Sequence, residues 1–143
     1  MKKFLSTSLV ILFALTVLAG CGENEDITVK DVWARPGLSG GNSGIFFTLD
    51  NSTSNSDKII LATSEIADAV EIHQTTMEND VMKMTPQEFV DIPADSTVNF
   101  SPGGLHVMLI GLVDDLAVGD TFQVTLEFEN HAPIQLDVTV SEP

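Results

Sequence analysis

Cysteine, basic side chains and aromatic rings are all scarce in this chain. Its 143 residues include one cysteine, six lysines and arginines together, one tryptophan and no tyrosine. A single cysteine excludes a disulfide framework, a thiol redox pair and any zinc site that needs two or more thiolates. Six basic side chains against 21 acidic ones give a formal charge of −15. This balance argues against nucleic acid as a partner, because phosphate contacts require a Lys/Arg patch.

Apolar residues, by contrast, make up 43% of the chain. That fraction can build a hydrophobic core and excludes ordinary disorder. A length of 143 residues corresponds to one domain, and no internal repeat is visible. The sequence therefore predicts a single folded domain.

The N-terminal segment has the composition of a secretion signal. Lys2 and Lys3 precede a run from Leu9 to Leu18 that is apolar except for Thr16 and is too short to span a bilayer comfortably. The run ends in Leu18-Ala19-Gly20-Cys21, which resembles the lipobox of bacterial lipoproteins. The alternative is an ordinary secretory signal with a chance cysteine.

This resemblance divides the chain into three parts. Residues 1–20 are predicted to be the lipoprotein signal peptide, 21–26 a polar tether lipidated at Cys21, and 27–143 the folded domain. Several acyl chains on one residue give stable anchoring. We therefore expect an extracytoplasmic, lipid-anchored protein, in the periplasm or on the outer face of the cell membrane. Without Lys2 and Lys3, four basic side chains face 21 acidic ones, a formal charge of −17.

The rest of the chain has the alternating pattern of β-strands. Apolar and polar residues alternate over 122–129 and again over 134–141, and Asn130–Pro133 predicts a hairpin between them. Further short strands are predicted at 27–33, 45–49, 59–62, 69–73, 81–84, 97–100 and 105–112. No helical period occurs outside the signal segment. The fold class is therefore all-β, an antiparallel Greek-key sandwich or barrel.

Methionine and histidine are concentrated in one part of the domain: Met77, Met82, Met84, Met108, His73 and His106. Taken singly, each could be a packing residue or a hydrogen-bonded core histidine. Taken together, they indicate a metal site, because residues two apart on a strand share a face, as His106 and Met108 do. The thioethers of methionine are soft ligands that suit Cu(I), whereas Ca²⁺ and Mg²⁺ prefer oxygen ligands. Zinc rarely binds methionine, and a blue-copper centre requires a cysteine ligand.

The spacing of these residues resembles a known signature. His73, ten residues, Met84, twenty-one residues and then His106-Val107-Met108 match the H-x(10)-M-x(21)-H-x-M pattern of the PCu(A)C periplasmic copper(I) chaperones. Trp33-Ala34-Arg35-Pro36 and the segment 102–109 also resemble that family. The resemblance extends over roughly 29–140.

The resemblance implies a cupredoxin-like β-sandwich that binds Cu(I) and passes it on. The implied ligands are His73, Met84, His106 and Met108, with Met77 and Met82 as surplus thioethers or packing residues around them. The implied recipient is the copper centre of a respiratory cytochrome oxidase subunit, reached directly or through a Sco-type protein.

Two features of some family members differ here. Gln74 stands where some members have a methionine, and no His/Met-rich tail for Cu(II) follows the last strand in this sequence, so a second, Cu(II)-binding site is not expected. His131 lies in the predicted terminal turn and is expected to be solvated.

The function predicted from the sequence is thus a membrane-tethered copper chaperone that is not an enzyme, since no nucleophile–base pair or phosphate loop is present. Two alternatives stay open. One is a copper buffer or resistance lipoprotein without a specific recipient. The other is a β-sandwich interaction module whose histidines and methionines belong to the core.

Overall fold

The computed structural model describes residues 25–142, which form ten strands and no helix. No helix among these residues is long and apolar enough to cross a bilayer. The predicted signal peptide, Cys21 and most of the predicted tether lie outside the described residues. The strands are β1 (Ile27–Ala34), β2 (Asn42–Asn51), β3 (Asp57–Thr63), β4 (Ala67–Glu78), β5 (Val81–Pro86), β6 (Val90–Ile92), β7 (Ser96–Phe100), β8 (Leu105–Leu112), β9 (Thr121–Phe128) and β10 (Ile134–Val140).

All ten strands belong to one hydrogen-bonded sheet, in the order β5-β4-β8-β7-β2-β1-β10-β9-β3-β6. One cluster of buried apolar side chains receives residues from nine of these strands, including Leu49, Leu109 and Leu126, each fully buried. Because strands from both ends of the order share this core, the sheet folds over itself as a sandwich. The predicted all-β sandwich class is confirmed.

Two strand pairs are parallel and so depart from a purely antiparallel order. β1 pairs with β10 through Trp33 and Ala34. β7 and β8 run in the same direction because both are antiparallel to β2. β7 pairs with residues 47–51 of β2, and β8 pairs with residues 42–45 of β2. The segment between β7 and β8, residues 101–104, therefore leaves the sheet as a short loop opposite the middle of β2.

The turn between β9 and β10 forms where the sequence predicts it, but His131 is not simply solvated. The His131 ring lies 2.8 Å from an Asp26 carboxylate oxygen through Nε2 and 2.6 Å from the Ala132 carbonyl through Nδ1. It also packs edge-on against Phe128. His131 is thus partly exposed, as expected, but it also has protein partners, because Asp26, at the end of the predicted tether, lies against this turn.

A bulge in β1 decides which of its side chains face the core. Lys30 pairs with Thr48 and Trp33 with Phe46, so β1 carries one extra residue between these pairs. Asp31 accommodates the bulge with a positive φ of 55°, a conformation that aspartate tolerates better than most residues. The extra residue reverses the alternation of faces. Ala34 is therefore in the core, and Trp33 is directed to the opposite, outer face, beside Phe46.

Candidate metal centre

Three neighbouring strands, β4, β5 and β8, bring the four proposed ligands onto the outer face of the sheet. His73 on β4 is directly opposite His106 on β8, and Met84 on β5 is opposite Thr75 on β4. Met108 lies two residues from His106 on the same strand and therefore on the same face. The core face of β8 is formed by the alternate residues, Val107 and Leu109.

His106 is buried and has a defined tautomer. Its Nδ1 lies 3.1 Å from the carbonyl oxygen of Gly104, in the loop before β8, and a carbonyl can only accept a hydrogen bond. Nδ1 therefore carries the proton, and Nε2 keeps its lone pair. Burial lowers the pKa of His106, partly offset by the Gly104 hydrogen bond, and the charges of His73 and Arg35 lower it further. The neutral ring that a metal requires is thus favoured.

His73 leaves its other nitrogen available. Its Nε2 lies 2.7 Å from a carboxylate oxygen of Glu71, which accepts the ring proton. Its Nδ1 is buried and has no hydrogen-bond partner among the described residues. A buried nitrogen lone pair without a partner is costly and calls for an explanation. The rings of His73 and His106 are 5.9 Å apart between centroids, close enough to serve one ion.

A pocket of about 260 Å³ lies on this face. Its lining includes His106, Met108, Met84 and Met82, but not His73, whose ring is adjacent to that of His106. Met84 is 51% exposed although methionine is usually a core residue. The structure therefore brings three proposed ligands to one opening and the fourth beside it.

The two surplus methionines are placed differently from each other. Met82 and Met77 are opposite each other on β5 and β4, and both are exposed. Met82 lines the pocket and Met77 does not. Only Met82 is thus within the surroundings of the proposed ligands. The predicted lipidation site, Cys21, lies outside the described residues.

The site also includes Trp33, Arg35 and Phe46, to which the sequence analysis assigned no role. Phe46 lies between Trp33 and His106, with ring centroids 4.7 Å and 6.2 Å away, and Arg35 sits over its ring at 5.3 Å. A side chain at Gly44 would meet the Phe46 ring at 3.1 Å, so glycine gives the ring room. The β1 bulge that directs Trp33 to this face gives no signal in the hydrophobic pattern.

Chemically, the site offers two imidazoles with free lone pairs and neutral thioethers. Among residues 25–142, no three His, Cys, Asp or Glu side chains are arranged to hold a metal ion. The donor set here is instead mixed nitrogen and sulfur, and such soft donors favour monovalent copper over hard cations.

Comparison with known proteins agrees with this architecture. The family described as "Putative lipoprotein LpqE-like" matches residues 27–140. "Uncharacterized protein RP573" of Rickettsia prowazekii is 33% identical over 114 residues, 76% of this chain and 63% of that protein. "Putative lipoprotein Lxx21020" of Leifsonia xyli is 31% identical over 120 residues, 82% of this chain and 71% of that protein. The chain thus spans less than two thirds of the Rickettsia relative.

Solved structures share the fold. A copper-bound PCuAC domain from PmoF2 has a TM-score of 0.68 at 25% identity, covering 82% of this chain and 93% of that domain. The solution structure of CuI-DR1885 from Deinococcus radiodurans has a TM-score of 0.63 at 27% identity, covering 85% and 83%. The chain therefore belongs to the LpqE-like family and has the cupredoxin-like β fold of PCuAC domains.

Proposed function

We propose that this protein is an extracytoplasmic, lipid-anchored copper chaperone that binds Cu(I) through His73, Met84, His106 and Met108. The observation that carries the proposal is the buried Nδ1 of His73, which has no partner among residues 25–142 and belongs to a ring 5.9 Å from that of His106, on a face that also presents two thioethers. The copper-bound state of the PmoF2 domain and the Cu(I) form of the Deinococcus protein support it.

The donor set accounts for the choice of metal. Two imidazoles and two thioethers are neutral and polarizable, which stabilises Cu(I) relative to Zn²⁺ and Cu(II). Burial and the hydrogen bond of each ring keep both histidines in a tautomer that can bind a metal. No cysteine thiolate is needed, so the site withstands an oxidising compartment better than a thiol site would.

The exposure of the site to solvent explains how copper could be transferred to another protein. Met84 and the pocket are open to solvent, so a ligand from another protein can approach the metal and replace one thioether at a time. The recipient we propose is the copper centre of a respiratory cytochrome oxidase subunit, reached directly or through a Sco-type protein. The protein itself catalyses no reaction in this proposal.

Competition with a chromogenic Cu(I) chelator tests the proposal on the full-length protein in detergent. The parent should take up one equivalent of copper and should retain zinc less tightly. Met108→Leu nearly conserves volume, so it should change stability by less than about 1.5 kcal/mol while lowering Cu(I) affinity at least tenfold.

Met77→Leu is the matched control, because Met77 is an exposed methionine outside the pocket. It should bind copper like the parent. A Met108→Leu protein that melts earlier but binds Cu(I) normally would return Met108 to a packing role. A parent that binds no copper would favour an interaction module, and copper uptake without delivery to an apo-oxidase domain would favour a copper buffer.

A further inference from the structure

The pocket beside the proposed ligands extends well past them toward β1 and β2. Beyond His106 and the methionines, its lining includes Arg35, Asn42 and Phe46. None of its lining residues is an aspartate or a glutamate, although the chain has 21 acidic residues. Arg35 is the one cation in the lining. This part of the pocket is therefore positive within an otherwise acidic protein.

Arg35 has no acidic partner among residues 25–142. Lys30 pairs with Asp50 and Lys58 with Glu129, but no carboxylate of the described residues lies within 4.0 Å of the Arg35 guanidinium. Instead, the guanidinium lies over the Phe46 ring at 5.3 Å, which orients its planar fork. The amide oxygen of Asn42 accepts a hydrogen bond from Gly111, which leaves the amide nitrogen as a second donor at the pocket.

A cation in this position opposes the proposed cargo. Cu(I) held by neutral imidazoles and thioethers keeps its positive charge, and the Arg35 guanidinium adds a second positive charge nearby, because Phe46 contacts both Arg35 and His106. An anion between the two would relieve this repulsion. Copper and an anion should therefore each strengthen the binding of the other.

We propose that the Arg35 side of the pocket binds the carboxylate of a sulfur ligand that exchanges Cu(I) with this protein. The proposal rests on the proposed copper function and names the chemistry of the exchanging partner. Arginine forms bidentate hydrogen bonds with carboxylates, and a sulfur on the same ligand reaches the metal from the open side of the pocket. A small mercapto acid and a peptide with neighbouring methionine and glutamate share this chemistry.

Ligand titrations followed by the fluorescence of Trp33 test the proposal, because Trp33 is the one tryptophan and contacts Phe46. The copper-loaded, full-length protein in detergent is titrated with mercaptosuccinate and with the neutral thiol mercaptoethanol. Mercaptosuccinate should bind at least tenfold more tightly. Arg35→Gln should remove this preference, and Lys30→Gln, which removes a cation of β1 that pairs with Asp50, should keep it.

Further measurements distinguish the source of the carboxylate ligand, and they test the carboxylate site separately from the proposed copper binding. Each ligand is compared with its carboxylate-free partner, because thiols and thioethers differ in their intrinsic affinity for Cu(I): an Arg35-dependent preference for amidated Met-Gly-Glu over amidated Met-Gly-Gln would identify a protein side chain as the source, and such a preference only within the thiol pair would identify a small molecule. In carboxylate-free buffer, Arg35→Gln should bind Cu(I) a few-fold more tightly than the parent. Equal affinities of the parent for both thiols would overturn the carboxylate site. If the parent binds no copper, succinate titration of the copper-free protein still tests Arg35.

Discussion

At the scale of single residues, a hydrogen bond from outside the ligand set decides whether a histidine can bind metal. Glu71 accepts the Nε2 proton of His73 and thereby leaves the Nδ1 lone pair available, which makes Nδ1 the proposed ligand atom. Gly104 does the same for His106 with the opposite nitrogen. The first partner is a side chain and can be changed, whereas the second is a backbone carbonyl.

Glu71→Ala should therefore weaken copper binding although Glu71 is not a proposed ligand. Loss of the acceptor frees the ring of His73 to rotate and to change tautomer, and such substitutions around metal ligands cost about 10–100-fold in affinity. Glu71→Gln should recover part of the loss, because its amide oxygen still accepts the proton. Chelator competition measures both variants. Glu78→Ala, on the same strand, is the control, and a Glu71→Ala protein with the parent's affinity would refute the role.

The proposed ligand residues were accessible to sequence reasoning, but their surroundings were not. His73, Met84, His106 and Met108 have a fixed spacing along the chain, so a pattern finds them. Arg35 and Phe46 reach the pocket because β1 has one extra residue and because Gly44 leaves room for the ring. Such contacts depend on pairing between distant strands, which no local pattern encodes.

At the scale of elements, the strands in which apolar and polar residues clearly alternate were predicted from the sequence. The strands and pairings that were not predicted have physical reasons. β6 (Val90–Ile92) was missed because three residues are too few to show alternation. β2 begins at Asn42, three residues before the predicted start at residue 45, because Asn42 to Gly44 pair with β8. The parallel pairing of β1 with β10 joins the two ends of the domain and has no signature in either strand.

The turn between β9 and β10 is held by charged groups that titrate. The buried Asp57 carboxylate accepts hydrogen bonds from the backbone of Lys58, Asn130 and His131. Burial would raise the pKa of Asp57, but these hydrogen bonds lower it overall. Burial would lower the pKa of His131, but its hydrogen bonds to Asp26 and Ala132 and the charges of Asp26 and Asp57 raise it overall. The pKa of Asp26 is lowered by its hydrogen bonds to His131 and Ile27.

These pKa shifts give the turn a pH range of maximal stability. A raised histidine pKa stabilises the fold fully below about pH 6.5, and this contribution is lost as the pH rises through the raised value. Lowered aspartate pKa values stabilise the fold above about pH 4 and are lost as the pH falls through the lowered values. Between these limits all three groups contribute.

We therefore expect the melting temperature of the parent to fall between pH 5.5 and pH 8.5 by more than that of His131→Gln. Glutamine is neutral throughout this range, so the variant lacks the contribution that titrates. Repulsion among the other acidic groups also varies with pH, but it is common to both proteins and cancels in the comparison. Parallel melting curves for the two proteins would show that the turn carries no pH-dependent stability.

At the scale of the whole molecule, the candidate metal pocket and Asp26, the first residue before β1, lie at opposite ends of that strand. Asp26 is fixed to the domain at the start of β1 by hydrogen bonds with Ser52 and His131. Arg35 and the pocket follow the end of the same strand, about 25 Å further on. The candidate pocket is therefore remote from Asp26, where the predicted tether ends.

The formal charge of the chain is −15, and it becomes −17 if the predicted signal peptide with Lys2 and Lys3 is removed. An anionic membrane surface is expected to repel a domain this acidic. The Arg35 side of the pocket, which has no acidic lining residue, is an exception to this charge. An exchange partner therefore meets a local positive site on a protein that is otherwise negative.

We expect membrane anchoring and copper binding to be independent properties of this protein, and Cys21→Ala tests this expectation. Without the thiol there is no residue to carry the lipid, so the protein should be lost from the lipid-anchored membrane fraction. Copper binding should be unchanged, because none of the four proposed ligands belongs to the tether. Detergent partitioning and chelator competition on the same preparation measure the two properties. Retention of Cys21→Ala as a mature, signal-free protein in the lipid-anchored fraction would refute Cys21 as the attachment site, and a loss of copper from the variant would place a thiolate in the metal centre.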